Sequence, residues 1–198
     1  MAAISGTRGS YARGRATREE IVKVARDVLV QRGYHGMTFV AVAERAGITR
    51  AGLIHHFPSK EHLLLAVMED RFSENREWMI QQLKAGEPVL DIFVALMERL
   101  TASPPQSTLL LALAGASIDP SHPAHEWYVV RYRYMRSTMT EHVADNQRRG
   151  LIVKRDPPAQ LAIQLIGTIE GVLLHWLYDP DDVDAVAAMR SFCDSLRA

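Results

Sequence analysis

The chain has 198 residues, of which 47% are hydrophobic and 23% are charged, and this balance excludes a chain that is disordered throughout. Its single cysteine, Cys193, excludes an internal disulfide and a cysteine-based zinc site within one chain. The sequence contains no uninterrupted apolar run of about 18 residues and no apolar leader segment, so we expect neither a membrane-spanning helix nor a secretion signal.

The formal net charge is zero, because 23 Lys and Arg balance 23 Asp and Glu, but the two signs are unevenly distributed. Residues 1–60 hold ten cations and four anions, a net charge of +6, and residues 61–198 hold 13 cations and 19 anions, a net charge of −6. Asymmetry of this kind between two parts of a chain indicates contact with nucleic acid through the basic part.

The N-terminal third is predicted to form a basic arm followed by short helices. Residues 1–16 are rich in arginine and carry no apolar pattern, which favours a disordered arm. Thr17 and Glu20 form a capping-box pattern at the start of a first helix that ends at Gly33. Two short helices follow: Thr38 caps the first of them, and Thr49 caps the second, which ends before proline.

A fourth helix begins after Ser59 and runs to about residue 86. Five more helices are predicted from apolar residues at helical spacing between breaks at proline, glycine and aspartate, over residues 88–101, 107–117, 124–147, 157–178 and 182–196. In the fourth of these, Asp156 serves as the cap and Pro157 as the first residue. No segment alternates with period two, so we expect an all-α protein of about nine helices.

The helix–turn–helix around Gly47 is the most informative pattern. Small residues at 43 and 46 allow two helices to cross closely, and glycine at the turn tolerates a backbone that a Cβ atom opposes. Only Leu53 and Phe57 are large and apolar on the second helix, so its outer face is free to meet base edges in the major groove. We therefore assign residues 17–63 to a DNA-binding domain and residues 64–198 to a helical domain.

This segment resembles the DNA-binding region of the TetR family of bacterial transcriptional regulators. The matching pieces are T-R-E-E-I and A-R-D-V-L-V-Q-R-G-Y in the first helix, A-E-R-A-G-I-T at the turn and H-F-P-S-K-E-H-L-L beyond it. The sequence departs from the family at Ile54, where an aromatic residue commonly touches a phosphate. The resemblance implies a cytoplasmic, ligand-responsive repressor that binds a palindromic double-stranded operator as a homodimer and leaves it when a small molecule binds.

Eight residues are candidates for DNA contact. Arg50 lies where the family reads bases and can bind guanine in two places, although a solvated surface arginine fits the same position. The threonine caps lie at helix N-termini, which attract phosphate. The full set is Thr38, Thr49, Arg50, Ala51, Gly52, His55, His56 and Lys60.

The predicted helix over residues 157–178 is apolar on nearly all sides, which indicates burial on several sides. Burial against both its own domain and a partner chain explains this pattern, and so does a monomeric core helix. Two glycines four residues apart permit a second helix to approach closely. The predicted dimer seam consists of Gln164, Gly167, Thr168, Gly171 and His175.

A small-molecule pocket needs apolar walls and a few polar groups. Candidates lie on three predicted helices of the acidic part, with Arg131 or His125 to orient a ligand, although each residue also suits an ordinary core. The candidate set is Phe93, Met97, Leu110, Trp127, Tyr128, Arg131, Tyr132 and Met135.

Other functional classes receive little support from the sequence. His122 and His125 are spaced as metal ligands without a third one nearby, and no motif for nucleophilic catalysis or phosphate cradling occurs. We therefore expect no metal, no cofactor and no enzymatic activity. One alternative remains open, a helical protein that binds small molecules and has lost specific DNA binding, because Ile54 makes no hydrogen bond to phosphate.

Overall fold

The computed structural model describes the backbone of residues 5–198 and the side chains of residues 17–198. Over this range the chain consists of nine α-helices without a β-strand, apart from a single bridge between Ile152 and Arg197, which confirms the all-α prediction. The chain divides into two compact units that meet between Arg71 and Phe72. That division lies inside a continuous helix, so no loop marks it in the sequence.

The first unit contains α1 (Ser5–Gly36), α2 (Phe39–Ala46), α3 (Arg50–His56) and the first half of α4 (Lys60–Lys84). Its core is built from apolar residues at helical spacing, all nearly inaccessible to solvent: Ile21, Ala25, Leu29, Val42, Leu53, Phe57, Leu63 and Val67. The short helices α2 and α3 are held in place by this core, since helices of two turns are not stable alone in water.

α1 differs from the prediction at its start and agrees with it near its end. The helical backbone begins at Ser5, twelve residues before the predicted cap at Thr17. The backbone of residues 1–4 and the side chains of residues 1–16 lie outside the described residues, so the predicted basic arm is described only as helical backbone over residues 5–16. Near the other end, Gly33 adopts φ +71° and ψ 179°, which interrupts the helix at the predicted residue.

The second unit contains the rest of α4 together with α5 (Val89–Thr101), α6 (Pro104–Ala116), α7 (His125–Arg148), α8 (Pro158–Tyr178) and α9 (Ala185–Asp194). α8 is central, because it packs against α5, α6, α7 and α9. Its inward face consists of residues that are at most 5% exposed: Leu161, Ala162, Leu165, Ile166, Ile169 and Leu173.

All five predicted helix starts in this unit are displaced by one to three residues, those of α5 and α7 by one. α6 begins at Pro104 rather than Ser107, because proline suits the first turn, where its missing N–H needs no partner. α8 begins at Pro158, with Pro157 rather than Asp156 in the capping position. α9 begins after Asp184, whose carboxylate accepts a hydrogen bond from the amide of Ala187 at 2.8 Å.

By length and composition α8 is also apolar enough to cross a membrane, with a mean hydropathy of 1.4. The sequence-based expectation rested on an uninterrupted apolar run, which α8 lacks because Gln164 and Glu170 divide it. A core helix of a globular protein satisfies the same criterion, and the packing of α8 inside the second unit is that of a core helix.

Candidate DNA-binding and effector sites

The turn between α2 and α3 has the geometry of a helix–turn–helix. The Thr38 hydroxyl accepts a hydrogen bond from the amide of Ala41 at 3.2 Å, and the Thr49 hydroxyl accepts one from the amide of Gly52 at 3.0 Å, so each helix begins at its predicted cap. Gly47 ends α2 in the left-handed region, at φ +66° and ψ 28°. Only glycine adopts this backbone without strain, which explains its place in the turn.

The start of α3 presents small and basic side chains to solvent, while Leu53 and Phe57 anchor the helix in the core. Leu53 is completely buried and Phe57 is 1% exposed, whereas Arg50 and Ala51 at the helix start are exposed. Gly52 is half-buried, and a Cβ atom added there lies 3.3 Å from the Thr49 hydroxyl. The N-terminal end of α3 is therefore slim enough for close approach to another surface.

The C-terminal end of α3 carries two histidines whose rings meet edge to face. Their ring centroids are 5.6 Å from each other with planes at 73°, and His55 is exposed while His56 is half-buried. Ile54 lies beside them, 42% exposed and without a hydrogen-bonding group. Lys60 begins α4 with its ammonium 5.3 Å from the ring centroid of Tyr34, a cation–π contact that restrains the Lys60 side chain.

On α8 the predicted seam residues lie on the solvent side of this chain. Gly167 and Gly171 are exposed, and a Cβ atom added to either meets no other atom within 4 Å. Gln164 and His175 are exposed and Thr168 is half-buried. The same side of the helix carries three exposed large apolar residues that the sequence reasoning did not single out: Ile163 at 56%, Leu174 at 45% and Tyr178 at 85%.

Four of the predicted pocket residues, all on α7, form one cluster in the second unit. Trp127 meets the Tyr128 ring edge to face, with centroids 4.9 Å apart, and the Arg131 guanidinium lies 5.6 Å from the Tyr128 centroid and 5.0 Å from that of Tyr132. The Tyr132 hydroxyl donates a hydrogen bond to Glu170 Oε1 at 2.8 Å. Burial, followed by the charge of Glu170, raises the pKa of Tyr132 to about 12.

The remaining pocket candidates lie in the same unit, and one of them, Leu110, contacts the cluster. Phe93 and Met97 are buried on α5, at 3% and 0% exposure. Leu110 on α6 is 8% exposed, and its carbonyl accepts a hydrogen bond from the Tyr128 hydroxyl at 3.0 Å. Met135 is half-buried one helical turn beyond Arg131.

Two members of the cluster were not predicted from the sequence. The Phe72 ring lies edge to face with Trp127 at a centroid distance of 5.6 Å, and Glu170 approaches Arg131 from α8. Glu170 could have been found from the sequence, since it is the only acidic or basic residue of the apolar helix α8 apart from His175. Phe72 could not have been found in this way, because its position in α4 does not indicate which helix it packs against.

The histidines considered as metal ligands make backbone contacts instead. His122 Nδ1 accepts a hydrogen bond from the amide of Ala124 at 3.1 Å, and His125 Nδ1 lies 2.9 Å from the carbonyl oxygen of Ser117. Within residues 17–198 no three metal-ligating side chains come together. Of the two residues predicted to orient a ligand, His125 contacts the backbone through Nδ1 and Arg131 lies in the aromatic cluster.

The first unit therefore has the architecture of a helix-turn-helix DNA-binding domain. Comparison with known proteins identifies the family. Residues 21–67 match the model for bacterial regulatory proteins of the tetR family, and residues 86–198 match that for the BetI-type transcriptional repressor C-terminal domain. The second match alone covers more than half of the chain. The chain belongs to the TetR family of helix-turn-helix transcriptional regulators, which confirms the resemblance seen in its sequence.

Individual relatives agree with this assignment. The chain is 23% identical over 189 residues to the HTH-type transcriptional regulator TtgR of Pseudomonas putida, covering 90% of this chain and 89% of TtgR. It is 40% identical to the regulator RutR of Escherichia coli over 53 residues, which are 27% of this chain and 25% of RutR. These relatives are regulators of transcription rather than enzymes.

Solved structures of low sequence identity share the fold. A transcriptional regulator from Saccharomonospora viridis in complex with choline superposes with a TM-score of 0.74 at 20% identity, covering 91% of this chain and 95% of that one. FadR from Bacillus subtilis in complex with stearoyl-CoA gives a TM-score of 0.63 at 16% identity, covering 91% and 97%.

Proposed function

We propose that this protein is a cytoplasmic repressor that binds a palindromic operator as a homodimer and is released from it by a small molecule. The observation that carries the proposal is the exposed N-terminal end of α3. There a capped helix presents Arg50 and Ala51 on the part of the chain with a net charge of +6. A recognition helix reads bases through its first residues, and this is where the free basic side chain lies.

The neighbouring groups fit contact with phosphate. Thr38 and Thr49 begin two helices, whose N-terminal amides attract anions. Lys60 and the two histidines of α3 complete the proposed surface, together with Gly52, which permits close approach. Residues 61–198 have a net charge of −6 and are repelled by phosphates, so docking through the basic residues 1–60 is favoured.

Dimerisation through α8 is supported by its exposed face. Ile163 on one side and Leu174 and Tyr178 on the other flank Gly167 and Gly171 on one stripe of the helix, so large apolar side chains lie beside positions where a second backbone fits closely. The proposed seam also includes Gln164, Thr168 and His175. In a two-fold dimer the same surface of both chains forms the interface, so this stripe of one chain packs against the same stripe of its partner.

The proposed effector site lies in the second unit, around the aromatic cluster of α7. The choline-bound and stearoyl-CoA-bound regulators of the same fold support a ligand-binding role for this domain. Release from DNA requires two forms of the dimer, one whose DNA-binding domains are spaced to fit the operator and one whose spacing does not fit it. The effector has to bind the second form more tightly than the first. α4 is the element through which we propose this coupling, since it is one helix from Lys60 to Lys84.

A second candidate function is favoured by one observation. Ile54 is 42% exposed on α3 and has no hydrogen-bonding group where relatives commonly carry an aromatic residue. A chain that senses small molecules without specific DNA binding tolerates such a residue. Selection of bound fragments from the source genome distinguishes the two functions, because a repressor enriches discrete fragments and a degenerate one enriches none.

The enriched fragment then serves in a gel-shift titration at several salt concentrations. We expect affinity to fall linearly on a log–log plot as salt rises, because bound phosphates release counterions. Arg50→Ala should weaken binding to the selected fragment more than to random DNA, whereas Arg32→Ala removes the same charge from an exposed position on α1 and should affect both alike. Equal effects of the two variants exclude α3 as the recognition helix.

A further inference from the structure

Arg131 is the one buried charge in the second unit whose hydrogen bonding is incomplete within the described residues. Its side chain is 7% exposed, and its Nε and Nη1 atoms have no acceptor. The nearest carboxylate oxygen, Glu170 Oε1, lies 3.8 Å from Nη1, which is beyond hydrogen-bonding distance. A buried charged group whose donors lack acceptors lowers the free energy of unfolding. The position of Arg131 is therefore not explained by a contribution to stability.

The surroundings of Arg131 stabilise its charge but supply no acceptors for these two atoms. The rings of Phe72, Tyr128 and Tyr132 have centroids 5.2, 5.6 and 5.0 Å from the guanidinium carbon, so cation–π attraction acts on it from three sides. The Tyr128 hydroxyl is directed to the carbonyl of Leu110 and the Tyr132 hydroxyl to Glu170. Within residues 17–198, neither a side chain nor a carbonyl group supplies a hydrogen-bond acceptor to these two atoms.

We propose that the effector of this regulator is a carboxylate with an apolar or aromatic body, and that Arg131 binds its carboxylate group. This inference rests on the proposed function, whose effector it assigns to a chemical class. A carboxylate is planar and offers two acceptor oxygens, which match the planar donor fork of arginine. The body of the ligand lies against the aromatic side chains, among which Trp127 is half-buried.

The same geometry argues against a cationic ligand. Aromatic rings bind quaternary ammonium groups such as choline through their faces. In this chain a guanidinium already lies against three of those rings, and its positive charge repels a second cation. Although the fold is shared with a choline-bound regulator, the charge at this position is opposite to the charge that a choline site requires.

Glu170 has the role of a competitor in the ligand-free protein. Its side chain is 26% exposed, and its Oε1 atom lies 2.8 Å from the Tyr132 hydroxyl and 3.8 Å from Arg131 Nη1, so it is more accessible than the guanidinium that it faces. An incoming carboxylate replaces Glu170 as the anion nearest to the guanidinium. Neutralising Glu170 should therefore strengthen ligand binding, which is the opposite of what a direct ligand contact predicts.

The test uses calorimetric titration and thermal unfolding of the full chain with benzoate and octanoate, each paired with its primary amide, and with choline as the cationic probe. We expect a carboxylate to bind and stabilise the protein while its amide and choline do not. Arg131→Met should weaken carboxylate binding by at least about tenfold, the worth of a hydrogen bond to a charged group, while leaving the unliganded protein at least as stable. Glu170→Gln should tighten carboxylate binding severalfold.

Three results overturn the proposal: neither carboxylate binds, an amide or choline binds as tightly as the carboxylate, or Arg131→Met binds the carboxylate like the wild type. If Arg131→Met does not fold, Glu170→Gln decides, because unchanged or weaker carboxylate binding in that variant contradicts the competition. Gel shifts on the same samples separate this proposal from the proposed function. Specific DNA binding without a carboxylate response refutes only the carboxylate, whereas absence of specific DNA binding refutes the repressor.

Discussion

Replacing the two exposed glycines of α8 by alanine separates two effects of opposite sign. In the isolated chain Gly167 and Gly171 are exposed, and an added Cβ atom meets no atom within 4 Å. Alanine is favoured over glycine in a helix interior by about 0.8–1.0 kcal/mol, so the double variant should stabilise a monomer by about 2 kcal/mol. Steric conflict within the chain contributes nothing to this difference.

In a dimer whose helices approach over these glycines, the same methyl groups fill space that the partner backbone occupies. Two-fold symmetry places four added methyl groups in one seam, and overpacking costs about 1–3 kcal/mol for an insertion into a tight contact. We therefore expect the dimer dissociation constant to rise by at least about tenfold, which corresponds to about 1.4 kcal/mol. The variant should be a more stable monomer and a weaker dimer.

Sedimentation equilibrium measures the dissociation constant, with 22.2 kDa as the mass of a single chain, and denaturant unfolding at several protein concentrations measures stability. Gly115→Ala is the matched control, because Gly115 is also an exposed helical glycine with no atom within 4 Å of an added Cβ, and it lies on α6. A double variant that gains stability at every concentration and associates like the wild type refutes a seam over the glycines. A wild type that sediments as a monomer refutes the dimer itself.

Three further predictions concern single residues. Leu53→Ala should destabilise the first unit by about 2–5 kcal/mol in denaturant unfolding, because Leu53 is completely buried, and a loss below about 1 kcal/mol contradicts its role as an anchor of α3. Ile54→Tyr should tighten operator binding by about twofold to tenfold through one added hydrogen bond to phosphate, and unchanged affinity in gel shifts means that this position does not face DNA. Burial raises the pKa of the Cys193 thiol from 9.0 to about 11. Between these two pH values the thiol is deprotonated in the unfolded chain and protonated in the folded one, so the free energy of unfolding falls as pH rises. Cys193→Ala should lack this fall, and parallel stability curves of variant and wild type across that pH range contradict it.

The helix–turn–helix was predictable from sequence because local chemistry determines it. Threonine caps, a glycine in the left-handed region and a proline after Phe57 each act on their own neighbours, so the bounds of α2 and α3 followed from single residues. The start of α9 was harder to predict, since four aspartates lie between α8 and Ala185 and each of them suits a cap.

Only part of the aromatic cluster around Arg131 could be predicted from the sequence. The stripe of Tyr128, Arg131 and Tyr132 follows from helical spacing along α7, but its other walls come from α4 and α8. Contacts between helices depend on how the helices cross, and periodicity contains no information on that angle. Phe72 and Glu170 were missed for this reason, and with them the observation that the buried guanidinium lacks acceptors.

The short length of α3 has a consequence for how such a regulator changes its target. Seven residues are too few to maintain a helix in water, so Leu53, Phe57 and the Thr49 cap supply the order of α3 from its inner side. Its outward positions contribute little to that order, because Arg50, Ala51 and His55 are exposed. If α3 is the recognition helix, as we propose, substitutions on its outer face alter operator preference while the inner face maintains folding stability. Target choice and stability are then traits that can evolve independently in the same two-turn helix.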